Sequence, residues 1–286
     1  MYEAHRRPRP AFTLIELLVV MALILAIFAL GIGYVVFGRD NEKTVLGAQS
    51  VSGAIINARG RARRDGRPTG IRVLFGGAAQ ATQFQFIQQP EDYNAGLCTG
   101  NPTSPPNLNV VTFQTGTVDF VGGGDPSNPL TWTVQPNDYF LVTGVPTPHR
   151  ILSVAASPPS LTLQSPAPLT SGTAYNIVRA PRPIPSEDLI TLPAGFVIDK
   201  AGCNNTLPTP DGQDGDLVFA PSGGVVSQGA QGNKIFLWVC AALPAANTAG
   251  SPLIVTVQVR TGAVGSYPVL PGNPYFYAND PRASGI

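Results

Sequence analysis

Pro10-Ala11-Phe12-Thr13-Leu14-Ile15-Glu16-Leu17-Leu18-Val19-Val20 opens a long apolar run, and Glu16 is its only charge between Phe12 and Phe37. A helix rises 1.5 Å per residue, so a run of this length spans a bilayer core of about 30 Å with residues to spare. A charge inside such a helix costs on the order of 3 kcal/mol or more, which makes Glu16 a functional residue by default. Arg6, Arg7 and Arg9 precede the run and little positive charge follows it at once. That asymmetry predicts a cytoplasmic N-terminus, a single membrane pass and a remainder sent across to the far side.

Three readings of this start compete. A cleaved secretory signal has a short apolar core followed by a small-residue cut site, and this core is too long for it. A plain signal anchor fits the length and leaves Glu16 unused. In the third, a basic leader is removed on the cytoplasmic side and the apolar helix stays attached. Pro10-Ala11-Phe12-Thr13-Leu14-Ile15-Glu16-Leu17 resembles the class III signal of type IV pilins and type II secretion pseudopilins. The resemblance implies that a prepilin peptidase cuts between Ala11 and Phe12, making residues 1–11 the leader, and that the new amine of Phe12 is methylated. The family usually has Gly where Ala11 stands; Ala is the next smallest side chain, and slower processing is expected. The resemblance also implies that the Phe12 amine pairs with Glu16 of a neighbouring subunit in a filament. An opposite charge makes a buried carboxylate tolerable, so the pair would set the axial offset between subunits. The competing reading of Glu16 is a protonated, inert carboxyl.

The transmembrane part is expected over 12–37 and the periplasmic part of the same helix over 38–65, with Arg39 to Glu42 marking the membrane exit. Val45, Ala48, Val51, Ile55, Ala58 and Ala62 recur at three- and four-residue steps and form one apolar stripe. Gln49, Asn57, Arg61 and Arg64 take the other faces, and Gly31, Gly33 and Gly38 weaken the middle. Asp65-Gly66-Arg67-Pro68 predicts the stop, a C-cap glycine followed by proline. Arg59, Arg61, Arg63, Arg64 and Arg67 cluster there. They fit either a phosphate-binding patch or cations placed at the negative end of the helix dipole with their stems packed on the head, and the second is the simpler account.

Charged residues make up only 12% of the 286, while 31 Gly and 29 Pro punctuate the chain, a turn-rich, β-rich profile. The formal charge of +1 includes three Arg and one Glu within residues 1–11, so without them it is −1. Beyond Pro68 eight Lys/Arg face twelve Asp/Glu, or −4. A mildly acidic head gives no support for nucleic-acid binding.

The expected fold is α+β: a long N-terminal helix, half of it transmembrane, on an antiparallel β head. The head begins over 66–115, with strand-like stretches at Ile71 to Phe75 and Thr82 to Gln88 and a long loop from Gln89 to Asn107. From 116 to 181, Val118–Val121, Leu130–Val134, Tyr139–Val142, Arg150–Val154, Leu161–Leu163 and Tyr175–Val178 read as short strands at roughly ten-residue spacing, the rhythm of a small barrel or sandwich. We read this as an inserted all-β subdomain. Residues 182–286 resume the head. There, Leu192-Pro193-Ala194-Gly195-Phe196-Val197-Ile198, Leu217-Val218-Phe219-Ala220-Pro221-Ser222-Gly223-Gly224 and Val255-Thr256-Val257-Gln258-Val259-Arg260-Thr261-Gly262-Ala263-Val264 are similar to the β half of H-type minor pseudopilins, the GspH/FimT family. Ile254 to Val259 alternates strictly and can pair with Ala263 to Tyr267 across Thr261-Gly262. The resemblance covers residues 11–88 and 187–270; the tail from Pro271 either packs on the head or lies free.

Candidate chemistry is sparse. His5 lies in the leader, which leaves His149 for any imidazole-based site, and no nucleophile elbow is present. Asp211-Gly212-Gln213-Asp214-Gly215-Asp216 invites calcium, but Gln213 and Gly215 break the EF-hand pattern and an ordinary acidic turn is the plainer reading. No His/Cys cluster has metal spacing. Three cysteines in an oxidising compartment suggest one disulfide: Cys203 with Cys240, or Cys98 as the rival partner. The resemblance therefore implies a non-enzymatic minor pseudopilin of a type II secretion system that needs no cofactor. Its partners are the prepilin peptidase, other pseudopilins in a filament, the inner-membrane assembly platform and membrane lipid; nucleic acid is not expected among them. The alternative is a minor pilin of a type IV pilus with adhesive or DNA-uptake duty.

Overall fold

The computed structural model describes residues 14–100, 109–169, 172–185, 187–209, 212–227, 230, 232–242 and 252–280, and, inside the first helix, the side chains of 14–28 and 44–65. The expected leader, the cut site at Ala11 and Phe12, and the membrane exit at Arg39 to Glu42 lie outside the described residues or side chains. One helix, α1, runs from Leu14 to Asp65, 52 residues without a break, and ends where the sequence predicts, with Gly66 at φ 66°. Thr44, Ala48, Val51, Ile55, Ala58 and Ala62 are buried at 4-3-4-3-4 spacing, with Gly47 and Ala54 buried beside them. Among the described side chains the stripe takes in Thr44 and not Val45, which is exposed.

The strands follow as β1 (Thr69–Val73), β2 (Gln80–Ala81), β3 (Gln83–Gln88), β4 (Cys98–Gly100), β5 (Val110–Phe113), β6 (Tyr139–Val142), β7 (His149–Ala156), β8 (Pro159–Leu163), β9 (Tyr175–Val178), β10 (Arg182–Pro183), β11 (Ile190–Thr191), β12 (Phe196–Asp199), β13 (Gly215–Phe219), β14 (Lys234–Ala241), β15 (Leu253–Gln258) and β16 (Val264–Pro268). Three antiparallel sheets result. Two make the head: β10-β3-β1-β13 with β11 also on β3, and β16-β15-β14-β12-β2. The head side of α1 packs on β1, β13, β14, β15 and β16. Val51 and Ile55 meet Ile71, Phe84, Leu217, Phe219, Leu237 and Val255 in one core. Full burial of an isoleucine such as Ile55 contributes about 1.5–3 kcal/mol. The β15–β16 hairpin forms as expected, with Val257 opposite Val264 and the Gly262 amide closing the turn on the Gln258 carbonyl. The tail also packs: Ala278, on a short helix α2 (Phe276–Asn279), joins Phe236, Ile254, Tyr267 and Tyr275 on the outer face of the second sheet.

The third sheet, β4-β5-β8-β7-β6-β9, is the inserted subdomain. It closes on itself. Tyr93 and Ile177 exchange both backbone hydrogen bonds, and Cys98 and Gly172–Thr173 continue the ladder beside β9. The result is a small barrel around Phe113, Phe120, Phe140, Ile151, Leu161 and Tyr175. The expected boundaries 116–181 leave out β4 and β5, which pair into this sheet, and the stretch taken as a loop from Gln89 carries both Tyr93 and β4. Val118–Val121 and Leu130–Val134 are turns rather than strands. Asp119 accepts from the Val121 and Gly122 amides, Asp125 from Ser127, and Asn128 caps a 3-10 turn at Pro129–Thr131. Such local bonds compete with a ladder; Phe120, Trp132 and Val134 still plug the barrel core. The chain leaves the head at the end of β3 and returns at β10, where Gln88 and Arg182 are paired.

Candidate functional site

Glu16 lies in the first turn of α1 and is exposed. Around it Leu14, Ile15, Leu17, Leu18, Met21, Leu25 and Phe28 are exposed as well, on every side of the helix. Among the described residues no helix is long and apolar enough to cross a membrane; the expected span 12–37 includes residues and side chains outside that description.

At the other end of α1 Arg61, Arg63, Arg64 and Arg67 are individually engaged, while Arg59 Nε is buried with no hydrogen-bond partner among the described residues. Arg61 pairs with Glu187 and lies over the Phe86 ring, Arg64 pairs with Asp65, and Arg67 with Glu91. Arg63 donates to the Ser222 carbonyl at 3.4 Å. The glycine turns of the head fit under these side chains. Gly223, at φ 92°, lies against the Arg63 guanidinium, and Gly262, at φ 63°, lies against Arg59 and the Gly223 carbonyl. The two glycine motifs of the C-terminal half are therefore the seats on which the helix end rests. Sequence reading saw each turn and missed that the two touch.

The junction between head and barrel holds a cavity of about 330 Å³ lined by both charged and apolar residues. Arg72, on β1, grips Asp216 through two bonds of 2.6 Å and donates to the Pro181 carbonyl. Arg182, on β10, reaches into the barrel loops to Trp132 and Thr133 carbonyls and to Asp138, each at 3.0 Å. Asp138 is fully buried and also accepts from the Gln135 and Ala180 amides at 2.8 Å. Burial pushes its pKa up despite the neighbouring Arg182, and burial pushes that of Arg182 down. Both faces of β13 are buried because α1 covers one and this junction the other. These residues are far apart in sequence, and single charged positions gave no sign of their convergence.

Other expected sites read as follows. His149 is buried at the start of β7; Nδ1 is 3.0 Å from Ser165 Oγ, and Nε2 has no hydrogen-bond partner among the described residues. Asp211 lies outside the described residues, Asp214 accepts from the Gly76 amide, and Asp216 belongs to the Arg72 pair. Among the described residues no group of three His, Cys, Asp or Glu could hold a metal ion. No disulfide joins Cys203 to Cys240 in this structure. Burial pushes the Cys203 thiol up to about 12 and that of Cys240 to about 11.

A family model for the prokaryotic N-terminal methylation motif matches residues 6–33. This is the prepilin-type signal, and it supports a type IV pilin-like protein or pseudopilin. It implies processing by a prepilin peptidase and assembly with other pilin-like subunits. No curated protein matches the chain. Among solved structures, a phage phi92 endosialidase is similar at 14% identity over 68% of this chain, with a TM-score of 0.18. The chain spans about a third (34%) of that structure, and a likeness so slight carries no argument.

Proposed function

We propose that the chain is an H-type minor pseudopilin of a type II secretion system. Anchored in the inner membrane by α1, its head in the periplasm, it enters a pseudopilus with other pseudopilins and aids initiation or cargo contact. The observation that carries this reading is the helix itself. A methylation motif leads into one unbroken rod that exposes apolar side chains all round over Leu14–Phe28 and buries a single stripe under a β head from Thr44 onward. A helix apolar on every side needs lipid or neighbouring helices to cover it. Such a rod can pass from one cover to the other while the head stays outside. The His149–Ser165 contact is read as a strand-end hydrogen bond rather than a catalytic pair, since no carboxylate orients the buried ring.

N-terminal sequencing of the membrane-extracted protein tests the signal: a start at methylated Phe12 supports it, and a start at Met1 or beyond Phe37 overturns it. Glu16→Leu should leave the protein in the membrane and abolish its incorporation into filaments. Deletion of the gene separates the two assemblies. Lost protein secretion with surface pili intact supports the pseudopilin; lost pili or DNA uptake with secretion intact replaces it by the minor-pilin reading.

A further inference from the structure

The junction cavity holds a charge excess. Arg72, Arg179 and Arg182 line it together with Asp138 and Asp216. Two of the guanidiniums are matched, Arg72 by Asp216 and Arg182 by Asp138. Arg179 is not: its bonds go to the carbonyl oxygens of Glu91 and Thr133, while the Glu91 carboxylate is taken by Arg67. The Arg179 guanidinium favours the charged form of Asp138 and disfavours that of Arg182. Arg182 Nε is shielded from solvent and has no acceptor among the described residues. Gln89 and Tyr139 line the same cavity, and their side chains make no hydrogen bond among the described residues. Leu130, 70% exposed, comes from the barrel side of the cavity and Val226, 50% exposed, from the head side.

From this arrangement we infer that the cavity is a binding site for a small organic monocarboxylate bearing hydroxyl or amide groups. One negative charge answers the one unmatched guanidinium, and charge-assisted hydrogen bonds to Arg are the strong ones. A dianion such as phosphate would overshoot the excess and face the two aspartates. Gln89 and Tyr139 offer donors and acceptors to neutral polar groups, and the two aliphatic side chains cover an apolar face. The volume lies at the lower end of ligand pockets, enough for one sugar ring or two amino-acid residues. An acidic sugar and a peptide C-terminus share this chemistry. The inference holds for either filament and does not rest on the secretion reading.

Isothermal titration calorimetry on the full-length protein in detergent micelles tests it. The probes are glucuronate, N-acetyl-dialanine with a free carboxylate, and the same dipeptide as its amide. Binding of either carboxylate with a Kd at or below about 1 mM, and tenfold or greater weakening in Arg179→Gln and in Tyr139→Phe, supports the site. The stronger of the two carboxylates identifies the source. Tyr139→Phe removes one oxygen and keeps the ring, so it reads the site even where Arg179→Gln disturbs the junction. Absence of binding by both carboxylates, equal binding of the amide, or affinity unchanged in both variants overturns the inference.

Discussion

Replacing Gly262 with alanine should destabilise the head far more than the same change at Gly76, although both residues have a left-handed backbone. Gly76, at φ 54°, has open space where a Cβ would go. Gly76→Ala therefore costs only the left-handed conformation, about 1–2 kcal/mol. At Gly262 an added Cβ lands 2.1 Å from the Gly223 carbonyl oxygen and 3.1 Å from the Arg59 side chain. A backbone atom has to move, which adds about 1–3 kcal/mol of overpacking. Gly223→Ala falls between: its Cβ meets the Arg63 guanidinium at 2.6–2.9 Å, but that is the end of a flexible, exposed side chain and can swing away. For a protein of this size 1 kcal/mol moves Tm by roughly 2–4 °C. Circular-dichroism melts should rank the losses Gly262→Ala, then Gly223→Ala, then Gly76→Ala, with Gly262→Ala lower by about 5–15 °C. Hydrogen exchange should show the last turns of α1 opening first in Gly262→Ala. Equal melting of the Gly262 and Gly76 variants refutes the idea that one turn seats the other beneath the helix end.

Arg182→Met strands the buried Asp138 carboxylate, a loss of about 3 kcal/mol for a broken buried pair; amide exchange should rise at Gln135, Asn137 and Ile151 while the β14–β15 ladder keeps its protection. The same carboxyl gives a pH signature. Its folded pKa lies above the unfolded one, so it favours the fold while protonated, and that contribution fades as pH climbs from the ordinary carboxylate value of 3.8 through the folded pKa. Asp138→Asn should flatten the slope of stability against pH over that interval, measured by urea melts. In the reduced, folded protein iodoacetamide at pH 8 should modify Cys240 slowly and Cys203 only on unfolding, because both thiols are held protonated; mass spectrometry reads each site. If the exported protein joins Cys203 to Cys240, one of the two pairings expected from its sequence, its mass falls by two hydrogen atoms relative to the reduced form, and Cys98 stays modifiable in denaturant.

The long helix, its stop at Gly66 and the β15–β16 hairpin were all legible, because each is written in local periodicity or turn chemistry. The stripe from Ala48 to Ala62 and Gly66 are cases where local pattern and tertiary packing agree. The barrel's start was not legible. Cys98–Gly100 joins its sheet by pairing with β5 across a Pro- and Asn-rich stretch at 101–109, and no short run of residues carries that register. Val118–Val121 misled for the opposite reason: its composition favours a strand, and Asp119 ties its amides into a turn. At the junction, Arg72, Asp138, Arg182 and Asp216 looked like ordinary surface charges. What makes them a site is burial at a seam between two modules, a property no linear pattern contains.

Gln88 and Arg182 face each other across one ladder rung, so the barrel is a cassette plugged into a hairpin. A short turn could bridge the same gap and leave both head sheets their registers. The part of the subunit that polymerises and the part that could meet the outside world are thus separable by a single splice. Descendants of such a chain can swap one barrel for another without renegotiating how the rod stacks.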